Sequence, residues 1–235
     1  MQFPRETLIN SSPFRLCQRP GVRARRSSQC LPLLLCLVLL WPQTLFAGEP
    51  VVLVFGDSLS AAYGIDHDQG WPQLLQQRLQ QAGYPHRVAN ASISGDTTSA
   101  GLARLPRSLE QHTPEVLILA LGANDGLRGI AQAEMKQNLA RMIELARQQQ
   151  ARVLLVGMYL PPNYGADYIA RFHAVYTRLA DELEVALVPF MLAGLMLDDE
   201  LTPDASLFQS DGIHPEAKAQ PLILDIIWPQ LAPLL

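Results

Sequence analysis

The sequence predicts an α/β domain of three layers, α/β/α, built on a five-stranded parallel sheet in the order 2-1-3-4-5. Two observations carry this. Short apolar runs without polar interruption recur along the chain, the pattern of strands buried on both faces. Segments with helical periodicity lie between them, and alternating strands and helices imply βαβ crossovers.

The first strand is VVLVF (51–55), followed by Gly56-Asp57-Ser58. A helix opens at Pro72 in WPQLLQQRLQQAG, with Gly83 placed to stop it. RVANA (87–91) is the second strand and VLILALG (116–122) the third. Met135, Leu139, Met142, Ile143 and Ala146 then recur at three- and four-residue spacing and mark a helix. RVLLVGM (152–158) is the fourth strand. Tyr168, Phe172, Val175, Tyr176 and Leu179 repeat the helical spacing before ALVPF (186–190), the fifth. A last helix, about 216–234, packs back on the sheet. These Met and aromatic stripes are read as core, and Trp71 as a roof over the first helix.

The N-terminal region reads differently. Arg15, Arg19, Arg23, Arg25 and Arg26 precede LPLLLCLVLLWPQTLFA (31–47), and small residues follow at Ala47-Gly48. A basic stretch, a short apolar run and small residues describe a secretory signal, with cleavage expected after Ala47. The run, interrupted by Pro32, Pro42 and Gln43, is shorter than the roughly 20 apolar residues of a membrane span. Arg25-Arg26 is a weak mark of twin-arginine export. Residues 48–235 then form one domain. Cys17, Cys30 and Cys36 all lie in the leader, so the mature chain has no disulfide, thiol nucleophile or thiolate metal site. Loss of six arginines and one glutamate takes the formal charge from −4 to −9. An acidic chain without basic runs argues against nucleic-acid binding, whose affinity rests on phosphate neutralisation.

A parallel sheet presents its chemistry at the carboxyl ends of its strands. Ser58 follows strand 1, and Asn90-Ala91-Ser92-Ile93-Ser94-Gly95-Asp96 follows strand 2. Gly122-Ala123-Asn124-Asp125-Gly126 follows strand 3, and Asp211-Gly212-Ile213-His214-Pro215 lies beyond strand 5. Acyl transfer by serine needs a hydroxyl, a base, a group that orients the base, and donors for the oxyanion. Ser58 supplies the hydroxyl. His214 is the candidate base, because an ordinary imidazole both takes and returns a proton near neutrality. Asp211, three residues earlier, can accept from its Nδ1–H. The Ser58 N–H, the Gly95 N–H and the Asn124 side-chain amide are the candidate oxyanion donors.

Each piece has a plainer reading. A serine after a strand closes turns, Asn124-Asp125-Gly126 resembles a turn, and Asp211 with His214 could be a capped loop. Asp57, Asp96 and Asp125 could suggest an oxygen-ligand metal site, but their wide spacing does not make a single-loop cage, and no metal is expected. Asn90-Ala91-Ser92 fits a glycosylation sequon that matters only in a eukaryotic secretory pathway. His67, His86, His112 and His173 show no partner pattern. The coincidence of four complementary parts selects Ser58 as nucleophile. The signature G-x-S-x-G is absent, because position 60 is Ser.

GDSLS (56–60), ISGDT (93–97), GAND (122–125) and DGIHP (211–215) resemble the four blocks of the SGNH or GDSL hydrolases, whose initials fall on Ser58, Gly95, Asn124 and His214. NASISGDTTSAGLARLP, NDGLRG, LPPNYG and DGIHPEAKAQP are similar to the periplasmic acyl-CoA thioesterase I/lysophospholipase group within it, over nearly all of 50–235. The resemblance implies a flavodoxin-like hydrolase with a Ser58–His214–Asp211 triad. It also implies an oxyanion hole of Ser58, Gly95 and Asn124, and no cofactor. Expected substrates are acyl esters, aryl esters, thioesters and lysophospholipids. An acyl groove is expected from Asp57, Leu59, Ala123, Asp125, Gly126, Leu127, Leu160, Pro161 and Ile213. Ala123 stands where some members have glycine, which bears on chain-length preference. The protein is expected to be bacterial, exported to the periplasm or beyond, and monomeric. Two other readings are a carbohydrate or short-chain deacetylase on the same fold and a non-catalytic exported binding protein. The intact set of five site residues counts against the second.

Overall fold

In the computed structural model, residues 48–197 and 202–235 are described. The expected leader, 1–47, lies outside the described residues. The strands are β1 (Val51–Gly56), β2 (Arg87–Asn90), β3 (Val116–Ala120), β4 (Arg152–Val156) and β5 (Ala186–Val188). All pair in parallel, in the order β2-β1-β3-β4-β5. The fold is the three-layer α/β/α arrangement the apolar runs predict, with helices on both faces. In register, Val54 lies opposite Asn90 on one side and Ile118 on the other. Every residue of β1 and β3 is buried, which is why those runs carry no polar alternation.

The helices are α1 (Trp71–Gln81), α2 (Thr98–His112), α3 (Ala123–Leu127), α4 (Gln132–Gln148), α5 (Ala166–Leu183) and α6 (Gln220–Leu231). α1 packs with α6, while α4 packs with both α2 and α5. Met135, Leu139, Met142, Ile143 and Ala146 on α4, and Phe172, Val175, Tyr176 and Leu179 on α5, are the buried stripes. Trp71 is fully buried, and its Nε1–H donates to the Leu59 carbonyl at 3.2 Å. It therefore braces the turn that follows β1 as well as covering α1.

The sequence pattern assigns no helix between β2 and β3, yet α2 fills that space. Its N-cap Thr97 accepts from the Ala100 N–H, and Thr98, Gly101, Leu105 and Leu109 face inward. Pro106 inside the helix hides it, since proline cannot donate to the Leu102 carbonyl and normally ends a helix. Gly101 is needed on the inner face, because a Cβ there would come within 3.3 Å of the Phe55 ring and closer still to Leu121. Strand ends are trimmed too. β5 stops before Pro189, which has no N–H to continue the ladder. The last helix is shorter than 216–234, flanked by 3-10 turns at Ala217–Ala219 and Ala232–Leu234. No helix among the described residues is long and apolar enough to cross a membrane.

Candidate active site

Three strand ends and the loop before α6 converge on one rim of the sheet. At the end of β1 the chain turns sharply: the Ser60 and Ala61 N–H groups donate to the Asp57 carbonyl, at 3.1 and 3.0 Å. The Asp57 side chain caps the same turn by accepting from the Leu59 N–H at 3.1 Å. Gly56 is required beside it, because a Cβ would lie 2.8 Å from Ser60 Oγ and 2.9 Å from the Ala120 carbonyl. This turn presents Ser58, half-buried, at the rim.

His214 comes from a loop closed by a bridge between Phe208 and Pro215 and by the Gln209 N–H donating to the His214 carbonyl at 2.8 Å. Asp211 Oδ1 accepts from the Ile213 and His214 N–H groups at 2.9 and 3.0 Å, and Oδ2 lies 2.7 Å from His214 Nδ1. Hydrogen bonds from His214, backbone and then side chain, with the Ile213 N–H behind them, pull the Asp211 carboxyl down to about 2. An ionised Asp211 fixes the proton on Nδ1 and leaves Nε2 as the acceptor. Nε2 lies 2.9 Å from Ser58 Oγ, so the hydroxyl donates to it. Ser58 Oγ, the His214 imidazole and the Asp211 carboxylate thus form one hydrogen-bonded chain, a geometry that can activate a serine hydroxyl.

The expected oxyanion donors come from three different loops. Neither the Ser58 N–H nor the Gly95 N–H donates to another protein atom among the described residues. Gly95 has a left-handed φ of 82°, and its carbonyl is held by the Arg128 guanidinium at 2.9 Å. The Asn124 amide donates one hydrogen to Asp57 Oδ2 at 3.3 Å, leaving the other available. Asp57 is only 2% exposed, and that burial outweighs its hydrogen bonds and pushes its carboxyl up to about 6.

An apolar groove runs away from Ser58 and His214. Of the expected groove residues, Asp57, Leu59, Ala123, Leu127, Leu160, Pro161 and Ile213 line it. Asp125 and Gly126 do not. Asp125 is 1% exposed and faces away, accepting from the Thr98 N–H at 2.8 Å and the Thr98 hydroxyl at 2.5 Å, so it anchors α3 to the start of α2. Gly126 is packed behind the wall, where a Cβ would fall 2.7 Å from Leu160 and Phe172. Sequence reasoning missed Met158, Tyr159, Phe190, Leu192, Met196, Pro203 and Phe208. Met158 and Phe190 stand two residues beyond β4 and β5, so the strand-end rule that found Ser58 also points to them.

The chain belongs to the GDSL-like lipase/acylhydrolase family, whose sequence pattern matches residues 54–221, and is an ester hydrolase. Among characterised relatives it is 50% identical to the esterase TesA of Pseudomonas aeruginosa over 214 residues, 91% of this chain and all of that one. It is 42% identical to thioesterase 1/protease 1/lysophospholipase L1 of Escherichia coli strain K12, over 80% of this chain and 86% of that one. A crystal structure of TesA superposes with a TM-score of 0.74 at 51% identity, covering 79% of this chain and 99% of that one.

Proposed function

We propose that this protein hydrolyses fatty acyl esters, aryl esters and thioesters, lysophospholipids among them, through an acyl-enzyme on Ser58. The carrying observation is the chain Ser58–His214–Asp211, at 2.9 and 2.7 Å, opening on an apolar groove. The coarse activity agrees with relatives named as an esterase and as a thioesterase and lysophospholipase.

His214 Nε2 takes the Ser58 proton as Oγ bonds to the acyl carbon. The carbonyl oxygen becomes an oxyanion held by the Ser58 N–H, the Gly95 N–H and the Asn124 amide. Because these donors come from fixed loops, they need little reorganisation as charge develops, and each typically accounts for about 10²–10³ in turnover. Collapse expels the alcohol or thiol with the proton from His214. Water then loses its proton to the same nitrogen, attacks the acyl carbon and releases the acid, restoring Ser58. Asp211 stays ionised and stabilises the imidazolium at both steps. These steps require no metal or organic cofactor.

Leu127, Leu160, Pro161, Met158 and Phe190 suit an alkyl chain better than a sugar, which favours fatty acyl substrates over acetylated carbohydrate. The groove measures about 190 Å³. Residues 1–47 are proposed as a cleaved export signal, which places the mature chain in the periplasm or outside the cell, as a monomer.

The test is initial rates of residues 48–235 on p-nitrophenyl esters from about two to sixteen carbons, with Ser58→Ala in parallel; loss of the serine should cost about 10⁴-fold or more. Serine-dependent rates peaking at medium or long chains support the reading. Rates confined to acetate would favour a deacetylase, and wild-type rates in Ser58→Ala would remove Ser58 from the mechanism.

A further inference from the structure

The outer face of the His214 imidazole is covered by an aromatic side chain that the hydrolytic mechanism does not use. Tyr63 is 51% exposed, yet its ring lies 4.4 Å from the His214 ring, centroid to centroid, at a tilt of 38°. The backbone on either side of Tyr63 sets where its ring sits. The loop is bent at two left-handed residues, Ala62 (φ 57°) and Gly64 (φ 74°), which flank Tyr63. Alanine disfavours that region, so the surrounding contacts must hold it there.

The Ile65 N–H holds the Ala62 carbonyl at 3.3 Å, and Gln209 holds the loop from the other side. Its Nε2 donates to the Tyr63 carbonyl at 2.8 Å and to the Pro215 carbonyl at 3.2 Å, while its own N–H holds the His214 carbonyl. One amide therefore ties the loop after Ser58 to the residue that follows His214. Gly64 makes room for it, since a Cβ there would run into the Gln209 amide. Besides this tie, the Ser58–His214 hydrogen bond and the Tyr63–His214 ring contact link the same two loops, and the hydrogen bond breaks in every turnover.

Resting on the serine-hydrolase reading above, we propose that Tyr63 and Gln209 are positioning residues for the base. Gln209 locks the two loops together, and the Tyr63 ring holds the imidazole plane between Ser58 Oγ and Asp211 Oδ2 while Nε2 accepts and returns the proton. Neither contributes an atom to the reaction. The chemical demand is high, because small misplacements of a reacting group cost large factors in rate.

The experiment is kcat and KM for p-nitrophenyl butyrate, with melting temperature, on mature wild type, Tyr63→Ala, Tyr63→Phe, Gln209→Met and Ser58→Ala. Tyr63→Ala should lower kcat about tenfold or more with KM unchanged, the signature of an interaction that matters in the transition state. Tyr63→Phe, which keeps the ring, should rescue the rate. Gln209→Met removes both amide bonds without touching the imidazole and should also lower kcat. Combined with Tyr63→Ala it should add less than its separate effect, because both act on one alignment. The proposal is overturned by a wild-type kcat in Tyr63→Ala, by a change confined to KM, or by failure of Tyr63→Phe to rescue. Should Tyr63→Ala lose its fold, a wild-type kcat in Gln209→Met overturns it instead. An active Ser58→Ala would sink the hydrolytic reading itself, whereas an inactive Ser58→Ala beside a fully active Tyr63→Ala would sink only this one.

Discussion

Replacing Asp57 by Asn should make the protein more stable at neutral pH and a poorer enzyme. Asp57 is buried at the end of β1, and its carboxyl is pushed from 3.8 up to about 6 because burial disfavours the charge. Between those two values the folded state holds a proton that the unfolded state has released. Stability therefore falls as pH rises from about 4 to 6 and stays lowered above that. A shift of about two units corresponds to about 3 kcal/mol of lost stability at pH 7.5. Asparagine does not titrate, so the variant escapes this cost. It keeps an oxygen for the Leu59 N–H, but its amide hydrogens now face those of Asn124, and the 3.3 Å bond is lost. That loss costs about 1 kcal/mol. The variant should be less stable than wild type by about 1 kcal/mol at pH 4 and more stable by about 2 kcal/mol at pH 7.5. Turnover should drop, because Asn124 loses the anchor that aims its second hydrogen at the oxyanion. Urea unfolding of both proteins from pH 4 to 8, with kcat at pH 7.5, measures each part. A stability difference that stays flat across that range would refute the reasoning.

Asp211→Asn should lower kcat by about 10⁴, because the neutral amide no longer fixes the Nδ1 proton or stabilises the imidazolium. Asp211 is held at about 2, so whatever stability its ionised form adds is present above about pH 4 and is lost as pH falls toward 2. Being two-fifths exposed, it should leave the melting temperature at pH 7.5 nearly unchanged, and calorimetry beside kinetics separates the two effects. Gly126→Ala should destabilise by about 1–3 kcal/mol and move the preferred acyl length downward, since its methyl would push Leu160 into the groove. Rates across the ester series would show an unmoved optimum if that wall yields elsewhere. Trp71→Phe should cost about 1–3 kcal/mol in denaturant unfolding by orphaning the Leu59 carbonyl, and an unchanged midpoint would mean water replaces the indole.

The sheet was legible because burial on both faces writes itself as unbroken Val, Ile and Leu, and β1 and β3 have no other signal to confuse it. Ser58, Asn124 and His214 were legible by position: polar residues gathered where a parallel sheet binds its ligands. α2 was not, since Pro106 contradicts the local rule and only packing of Leu105 and Leu109 overrides it. Asp125 looked like part of the groove because it sits beside Asn124, yet on α3 adjacent side chains diverge, and its carboxylate turns to Thr98. Tyr63 could not be picked out, because stacking on His214 depends on two left-handed turns that no pattern of apolar spacing reveals.

The hydrogen bond between Ser58 and His214 spans 156 positions of sequence. Ser58 stands at the end of the first strand, and His214 arrives just before the helix that locks onto α1, where Gln220 accepts from the Trp71 N–H and Asp225 pairs with Arg78. Ribosomes deliver Ser58 well before His214, so a nascent chain can pair β1 with β3 before His214 is in reach. Closure of so long a loop belongs to the slow, non-local part of folding. Recovered esterase activity should therefore trail the return of secondary structure during refolding, and it serves as a clock for the last docking event.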